Sequence, residues 1–243
     1  GPDATRLRFK GGQFVWMTLF PHRPPFHDHP FSIASAATNL PWLRFVIQEA
    51  GDCTSDLGKI EPGTRVAIDG PHGSFVLPAA EAPVVMIAGG VGIAPFLGML
   101  EEAAALGDRR PIRLVYAAHE SNGLASLKRL RELQSELDLL IYCVVEEETP
   151  GSDNVTGHLG TQHILDSLEG LQTDKLTALA CGPPGMMEIA TDALLAADIS
   201  AKSIHYERFD YAAGKGRLDR TRRTEALFPF LILAVAMLAF SLR

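Results

Sequence analysis

The pattern of apolar and polar positions changes character partway along the chain. Up to about Pro78, strand-length apolar segments are separated by clusters of Pro, Gly and Asp. Gln13–Phe20, Phe31–Ala36, Leu43–Glu49 and Arg65–Asp69 are the strands expected there, and their spacing predicts a small antiparallel barrel. From Glu81 the rhythm lengthens. Val84–Ala88 is apolar throughout, a glycine-rich turn follows it, and a helix is expected over Ile93–Leu106. Next come strand Ile112–Ala118, helix Leu127–Glu136, strand Leu139–Val145 and a short helix near Gln162–Leu168. Strand Leu176–Ala180, helix Pro184–Ala197 and strand Ser203–Glu207 complete the series. Apolar strands alternating with amphipathic helices predict a doubly wound parallel sheet. The expected fold class is therefore α/β plus all-β, barrel first. Glu146–Asn154 reads as an exposed acidic loop, and no internal repeat is visible.

A third region follows. Lys215, Arg217, Arg220, Arg222 and Arg223 form a basic linker ahead of Ala226–Leu242, where Ser241 is the only polar residue. That run approaches the ~20 apolar residues of a membrane helix, and Pro229 falls early enough to occupy a first turn. Arginines on its near side would keep the preceding domains in the cytoplasm. A transmembrane helix over 226–242 is the expectation, with a buried or partner-docking helix as the alternative.

Composition narrows the chemistry. The net charge of −7 on 243 residues, without a basic stripe on the body, argues against nucleic acid as a partner. The three cysteines, Cys53, Cys143 and Cys181, make no CxxC pair and cannot complete a four-thiolate iron–sulfur or zinc site, so no metal site is expected. Free, widely spaced thiols fit a reducing compartment. A strand region already at Leu7–Phe20 suggests a barrel lacking its first strands, as in a fragment of a larger parent.

Three segments carry candidate chemistry: HPFSIAS at His29–Ser35, GGVGIAP at Gly89–Pro95 and CGPPGMM at Cys181–Met187. In the first, the Ser32 hydroxyl can bond the edge of a flavin ring at N5. Phe31 can shield or stack on a cofactor group, and His29 can reach its polar part; the alternative is a plain strand with a core Phe. Gly51, Cys53, Thr54 and Ser55 open a short helix whose free N–H groups suit a pyrophosphate, or simply cap the helix. The turn Asp69–Phe75 reads as structural, with His72 a polar turn residue. In the second segment Gly90 and Gly92 let the main chain approach phosphate oxygens, Ile93 opens the helix, and Pro95 sits in its first turn. Glu120, at the end of the next strand, can accept from ribose hydroxyls, which leans toward NADH. Lys128, Arg129 and Arg131 read as a solvated helix face. In the third segment Cys181 sits beside a nicotinamide or is a buried thiol, Gly182 and Pro183 admit the dinucleotide, and Pro184 starts a helix.

In this order the segments resemble the ferredoxin–NADP+ reductase superfamily over nearly all of residues 7–211. The family's flavin motif is Arg-x-Tyr/Phe-Ser/Thr-x-x-Ser; here His29 stands for the Arg, Phe31 for the aromatic, and Ser32 and Ser35 match, with Pro30 between. The His-Pro-Phe-Ser form and DGPHGSF look like the bacterial ferric-reductase and NADPH-oxidase branch. GGVGIAP and CGPP match the pyridine-nucleotide motifs, and His205–Tyr211 looks like the terminal segment, with Phe209 covering the flavin. The resemblance implies an FAD-binding barrel at 1–80 and an NAD(P)-binding domain at 81–211; the linker at 212–225 and the expected membrane helix at 226–242 depart from the family's pattern. It also implies electron transfer from NAD(P)H through FAD to a one-electron acceptor, with Ser32, Cys181 and Phe209 at the chemistry. The acceptor expected is a membrane haem domain, then ferric iron or oxygen, with haem on a missing region or a partner. The expected location is the cell membrane, reductase domains on the cytoplasmic side. The rivals are a soluble ferredoxin or oxygenase reductase and a non-catalytic nucleotide-binding module. His22, His27 and His29 cluster in a loop and cannot be assigned as haem ligands.

Overall fold

A computed structural model describes residues 5–19, 29–49, 54, 57–79, 81–147 and 154–208. Strands β1 (Phe14–Leu19), β2 (His29–Ser32) and β3 (Val66–His72) form an antiparallel sheet in the order β2-β1-β3. Phe14 lies opposite Ser32 on one side and His72 on the other, so these three residues share one row. Phe9, Val15 and Ile33 are the buried cluster beneath it, with Leu43 and Phe45 packed against them.

The second half is a parallel sheet of six strands in the order β7-β6-β5-β4-β8-β9. Its elements are β4 (Val84–Gly89), α1 (Ile93–Leu106), β5 (Ile112–Glu120), α2 (Leu127–Leu133), β6 (Leu139–Glu147) and β7 (Val155–Thr156). Then follow α3 (Thr161–Ser167), β8 (Thr177–Cys181), α4 (Pro184–Ala196) and β9 (Ile204–Glu207). Every residue of β4 is buried, as a central parallel strand covered on both faces requires. Val85, Ile87, Val115 and Ala180 pack against α3 and α4 through Ile164, Met187, Ala190 and Leu194. The chain runs outward from β4 through β5, β6 and β7, then returns to its other side with β8. The topological switch therefore lies between the carboxyl ends of β4 and β8, where such sheets hold ligands.

Helix α1 joins the two sheets. It begins at Ile93, tolerates Pro95 in its first turn, and stops at Gly107, whose φ of 68° supplies the left-handed cap. A Cβ on Gly98 would strike the Ile33 carbonyl, and one on Gly11 would strike the Gly98 carbonyl, so backbone meets backbone here. Phe75 and Phe96 meet edge-on at 5.7 Å across the same junction.

Several expectations need correction. The strand expected at Phe31–Ala36 is β2, earlier by several residues. Leu43–Glu49 is not a strand: it makes a single bridge, Ile33 to Phe45, held by the Ala34 N–H on the Arg44 carbonyl, while the Arg44 N–H donates to the Ser35 side chain, Oγ, rather than to a neighbouring strand. The turn expected at Asp69–Phe75 is largely strand, as β3 continues to His72. Helix α2 ends at Leu133 rather than Glu136. Part of the expected acidic loop, Glu146 and Glu147, completes β6. Arg129 is no solvated bystander, since its guanidinium pairs with Glu101, Glu132 and Glu136. The tail expected to span a membrane lies outside the described residues.

Candidate functional site

The first candidate site is built on β2. Ser32 ends that strand with 4% exposure, and its Oγ is buried with no hydrogen-bond partner among the described residues. A lone buried hydroxyl is costly unless a group arrives to bond it. Phe31 is half-buried, with its ring 6.3 Å from that of His29, and Pro30 is exposed. Ser35 is buried but engaged, accepting the Arg44 N–H at 3.1 Å. Thr54 is half-buried. Gly51, Cys53, Ser55 and Phe209 lie outside the described residues.

The row through Phe14 leads from Ser32 across the sheet. The rings of Phe14 and His72 lie 5.7 Å apart. Gly73 follows with φ 89°, a conformation glycine adopts without strain. A Cβ on it would lie 3.1 Å from the Phe14 ring and 3.9 Å from Glu207 Oε1. The antiparallel sheet and β9 thus meet at Gly73.

Glu207 in turn lies opposite Cys181 in the β8–β9 ladder. Its Oε2 is buried without a partner among the described residues, and burial pushes its carboxyl up to about 7. Cys181 is fully buried, and burial, followed by the Glu207 charge, raises its thiol well above the ordinary range. The sequence marks Glu207 only weakly, within His205–Tyr211, where Phe209 is the residue the family resemblance singles out.

The nucleotide turns pack directly on each other. A Cβ on Gly92 would strike the Cys181 carbonyl, and one on Gly89 would reach Met186 Sδ at 2.6 Å and Pro183 Cδ at 2.8 Å. A Cβ on Gly182 would lie 3.1 Å from Gly89 Cα. Gly92 and Gly182 are therefore explained by protein packing. Gly90 differs: its φ is 53° and nothing stands within 4 Å of a Cβ built there, an open approach at the β4 carboxyl end. Ile93 and Pro95 are buried in α1, so their side chains face the core rather than a ligand.

At the far end, Glu120 pairs in register with Glu147. His119 Nδ1 lies 2.8 Å from Glu146 and its Nε2 3.7 Å from Glu147, while His158 Nδ1 lies 3.0 Å from the other Glu146 oxygen. The bond to Glu146 holds the His119 imidazole above its usual value, and the bonds to His119 and His158 hold Glu146 below its own.

The residues fit the expected pair of cofactors. Ser32 and Glu207 each hold a buried oxygen without a partner among the described residues, one on each sheet, and Gly90 leaves open space at the β4 carboxyl end.

Residues 86–192 match the family model described as an oxidoreductase NAD-binding domain. The chain is 32% identical over 148 residues to the 2-halobenzoate 1,2-dioxygenase electron transfer component of Burkholderia cepacia, covering 60% of this chain and 43% of that protein. It is 30% identical over 223 residues to the propane 2-monooxygenase reductase component of Mycolicibacterium goodii, covering 85% of this chain and 61% of that protein. The crystal structure of a ferredoxin NADP+ reductase from Neisseria gonorrhoeae with bound FAD and NADP superposes with a TM-score of 0.69 at 23% identity, over 86% of this chain and 89% of that one. The chain thus spans about half the length of the curated relatives it matches. These relatives correct the expected cell-membrane location. They are named as oxygenase components, not as membrane ferric reductases, and among the described residues no helix is long and apolar enough to cross a membrane.

Proposed function

We propose that the chain is a ferredoxin–NADP+ reductase-like protein and the electron-transfer reductase of an oxygenase system; its NAD-binding-domain match and the reductase names of its relatives support this. It is an NAD(P)H-dependent FAD oxidoreductase, and its acceptor is a separate one-electron component. The reductase names of its relatives support this acceptor class over the ferric-reductase and NADPH-oxidase branch.

The approach at Gly73 carries the reading, because it sets the Phe14 end of the row that also holds Ser32 near Glu207, which pairs with Cys181. FAD supplies the conversion of one two-electron event into single-electron steps. Ser32 donates its hydroxyl to the flavin edge, and Phe31 and His29 flank the cofactor. Gly90 admits the dinucleotide phosphates. Cys181 and Gly182 present the carboxyl end of β8 to the nicotinamide, and Glu207 offers a polar group there. The chain's task is alignment, since correct placement of two reactants removes a large part of a barrier.

The test is anaerobic mixing of the FAD-loaded protein with NADH or NADPH, following flavin bleaching. Ser32→Ala is expected to slow bleaching roughly tenfold or more, the worth of about one buried hydrogen bond, while FAD affinity changes less. Unchanged bleaching in that variant removes Ser32 from the chemistry. FAD bound but never reduced by either nucleotide removes the enzyme reading altogether.

A further inference from the structure

Glu101 is a buried carboxylate in the middle of α1, with its side chain 3% exposed. Nothing in the amphipathic pattern of that helix marks it out. Its Oε1 accepts from Arg44 Nη1 at 2.6 Å and from Arg129 Nε at 3.1 Å. Its Oε2 accepts from Asn39 Nδ2 at 2.8 Å and from the Ala36 N–H at 3.4 Å. Three of these donors, Ala36, Asn39 and Arg44, belong to the segment that follows β2. The fourth, Arg129, is on α2. The neighbouring Glu102 adds a parallel link, accepting the Gly11 N–H at 3.0 Å.

The position of this carboxylate matters more than its count of bonds. Ala36 comes four residues after Ser32, and Arg44 also donates its N–H to Ser35 in the same segment. Helix α1 begins directly after the turn at Gly90–Gly92, which is open at Gly90. Glu101 therefore ties the strand that carries the flavin-side hydroxyl to the helix that carries the nucleotide turn. A buried charge bonded on both oxygens has a defined geometry, and losing one partner leaves the rest uncompensated.

We infer that Glu101 is a positioning residue for hydride transfer, clamping the Ser32 segment to α1 so that the flavin and nicotinamide sites stay in register. This rests on the reductase reading above. Small misplacements remote from the reacting atoms cost up to ~100-fold in rate, so the clamp acts on the rate of reduction more than on either affinity.

The experiment is stopped-flow reduction of the FAD-loaded full chain by NADH. It reads the limiting rate, the apparent Kd for NADH, the bound FAD and the long-wavelength charge-transfer absorbance. Glu101→Gln is expected to lower the limiting rate about tenfold or more and to weaken the charge-transfer band. FAD content and the apparent Kd should change by less than about threefold. Should Glu101→Gln not fold, the double variant Arg44→Met with Asn39→Ala removes the side-chain part of the link from the other side, leaving the carboxylate with Arg129 and the weaker Ala36 N–H. It should show the same split, and Arg44→Lys should restore the rate. Wild-type rates and band in the link-cutting variants overturn the inference, as does a rate loss matched by equal loss of FAD. A wild-type protein whose flavin is not reduced overturns the reductase reading itself, and is distinguishable because it appears without any substitution.

Discussion

Glu207 shows how one side chain connects stability to chemistry. Its carboxyl titrates near 7 in the folded chain against an ordinary 4.5, because burial disfavours the charged form. Below the ordinary value it is protonated whether folded or unfolded. Between the two values the unfolded chain gives up the proton first, so stability falls as pH rises. The loss is complete above the folded value and amounts to at most about 3 kcal/mol. Urea midpoints of the cofactor-free protein should therefore drop between pH 4.5 and pH 8 by more than those of Glu207→Gln. Parallel curves for the two proteins rule out a shifted Glu207. Ser32 and Glu207 also differ in how they read from sequence. Ser32 stands in a recognisable motif, whereas Glu207 gains its meaning from the register that sets it beside Cys181 and from the approach of Gly73.

Among elements, the two glycines of the β4–α1 turn serve different ends. A Cβ at Gly92 collides with the Cys181 backbone, which cannot give way, so Gly92→Ala is expected to destabilise the fold by roughly 1–3 kcal/mol, as overpacking does. Gly90 has free space and a positive φ, so Gly90→Ala should cost about 1 kcal/mol of stability but weaken NAD(P)H binding. Thermal melts and nucleotide titrations of both variants check the contrast, and equal binding loss in both would contradict it. The sequence pattern was most legible in this half. Helix α1 has the predicted bounds, since an apolar run is flanked by a glycine turn before and the Gly107 cap after. The Leu43–Glu49 segment misled because its apolar residues do pack inward, while its pairing stops at one bridge and the Arg44 N–H goes to the Ser35 side chain. Glu101 was invisible for a related reason: a polar residue in a helix looks solvated until the opposing segment is in place. The short strand β7 carries too few residues to show any period.

At the scale of the molecule, charge distribution bears on which nucleotide is used. The chain is acidic overall, and Glu120, Glu146 and Glu147 gather at the carboxyl ends of β5 and β6. On the reading that the adenosine ribose is received there, a 2′-phosphate meets unfavourable charge, and NADH should be preferred. Because these side chains are exposed, the preference should shrink as salt rises, the screening length falling from ~10 Å at 0.1 M to ~3 Å at 1 M. It should also shrink as pH falls through the elevated His119 value, where the imidazole gains positive charge between its carboxylates. Ratios of kcat/KM for NADH and NADPH across ionic strength and pH check both trends. A ratio indifferent to salt would separate the patch from selectivity.

The bare contact of Gly11, Gly98 and the Ile33 carbonyl has a practical corollary. Chimeric reductases that exchange one half for a homologue's must inherit this junction from a single parent. A recipient with even a methyl group opposite the helix would prise the halves apart, and its output would fade although each half kept its own cargo.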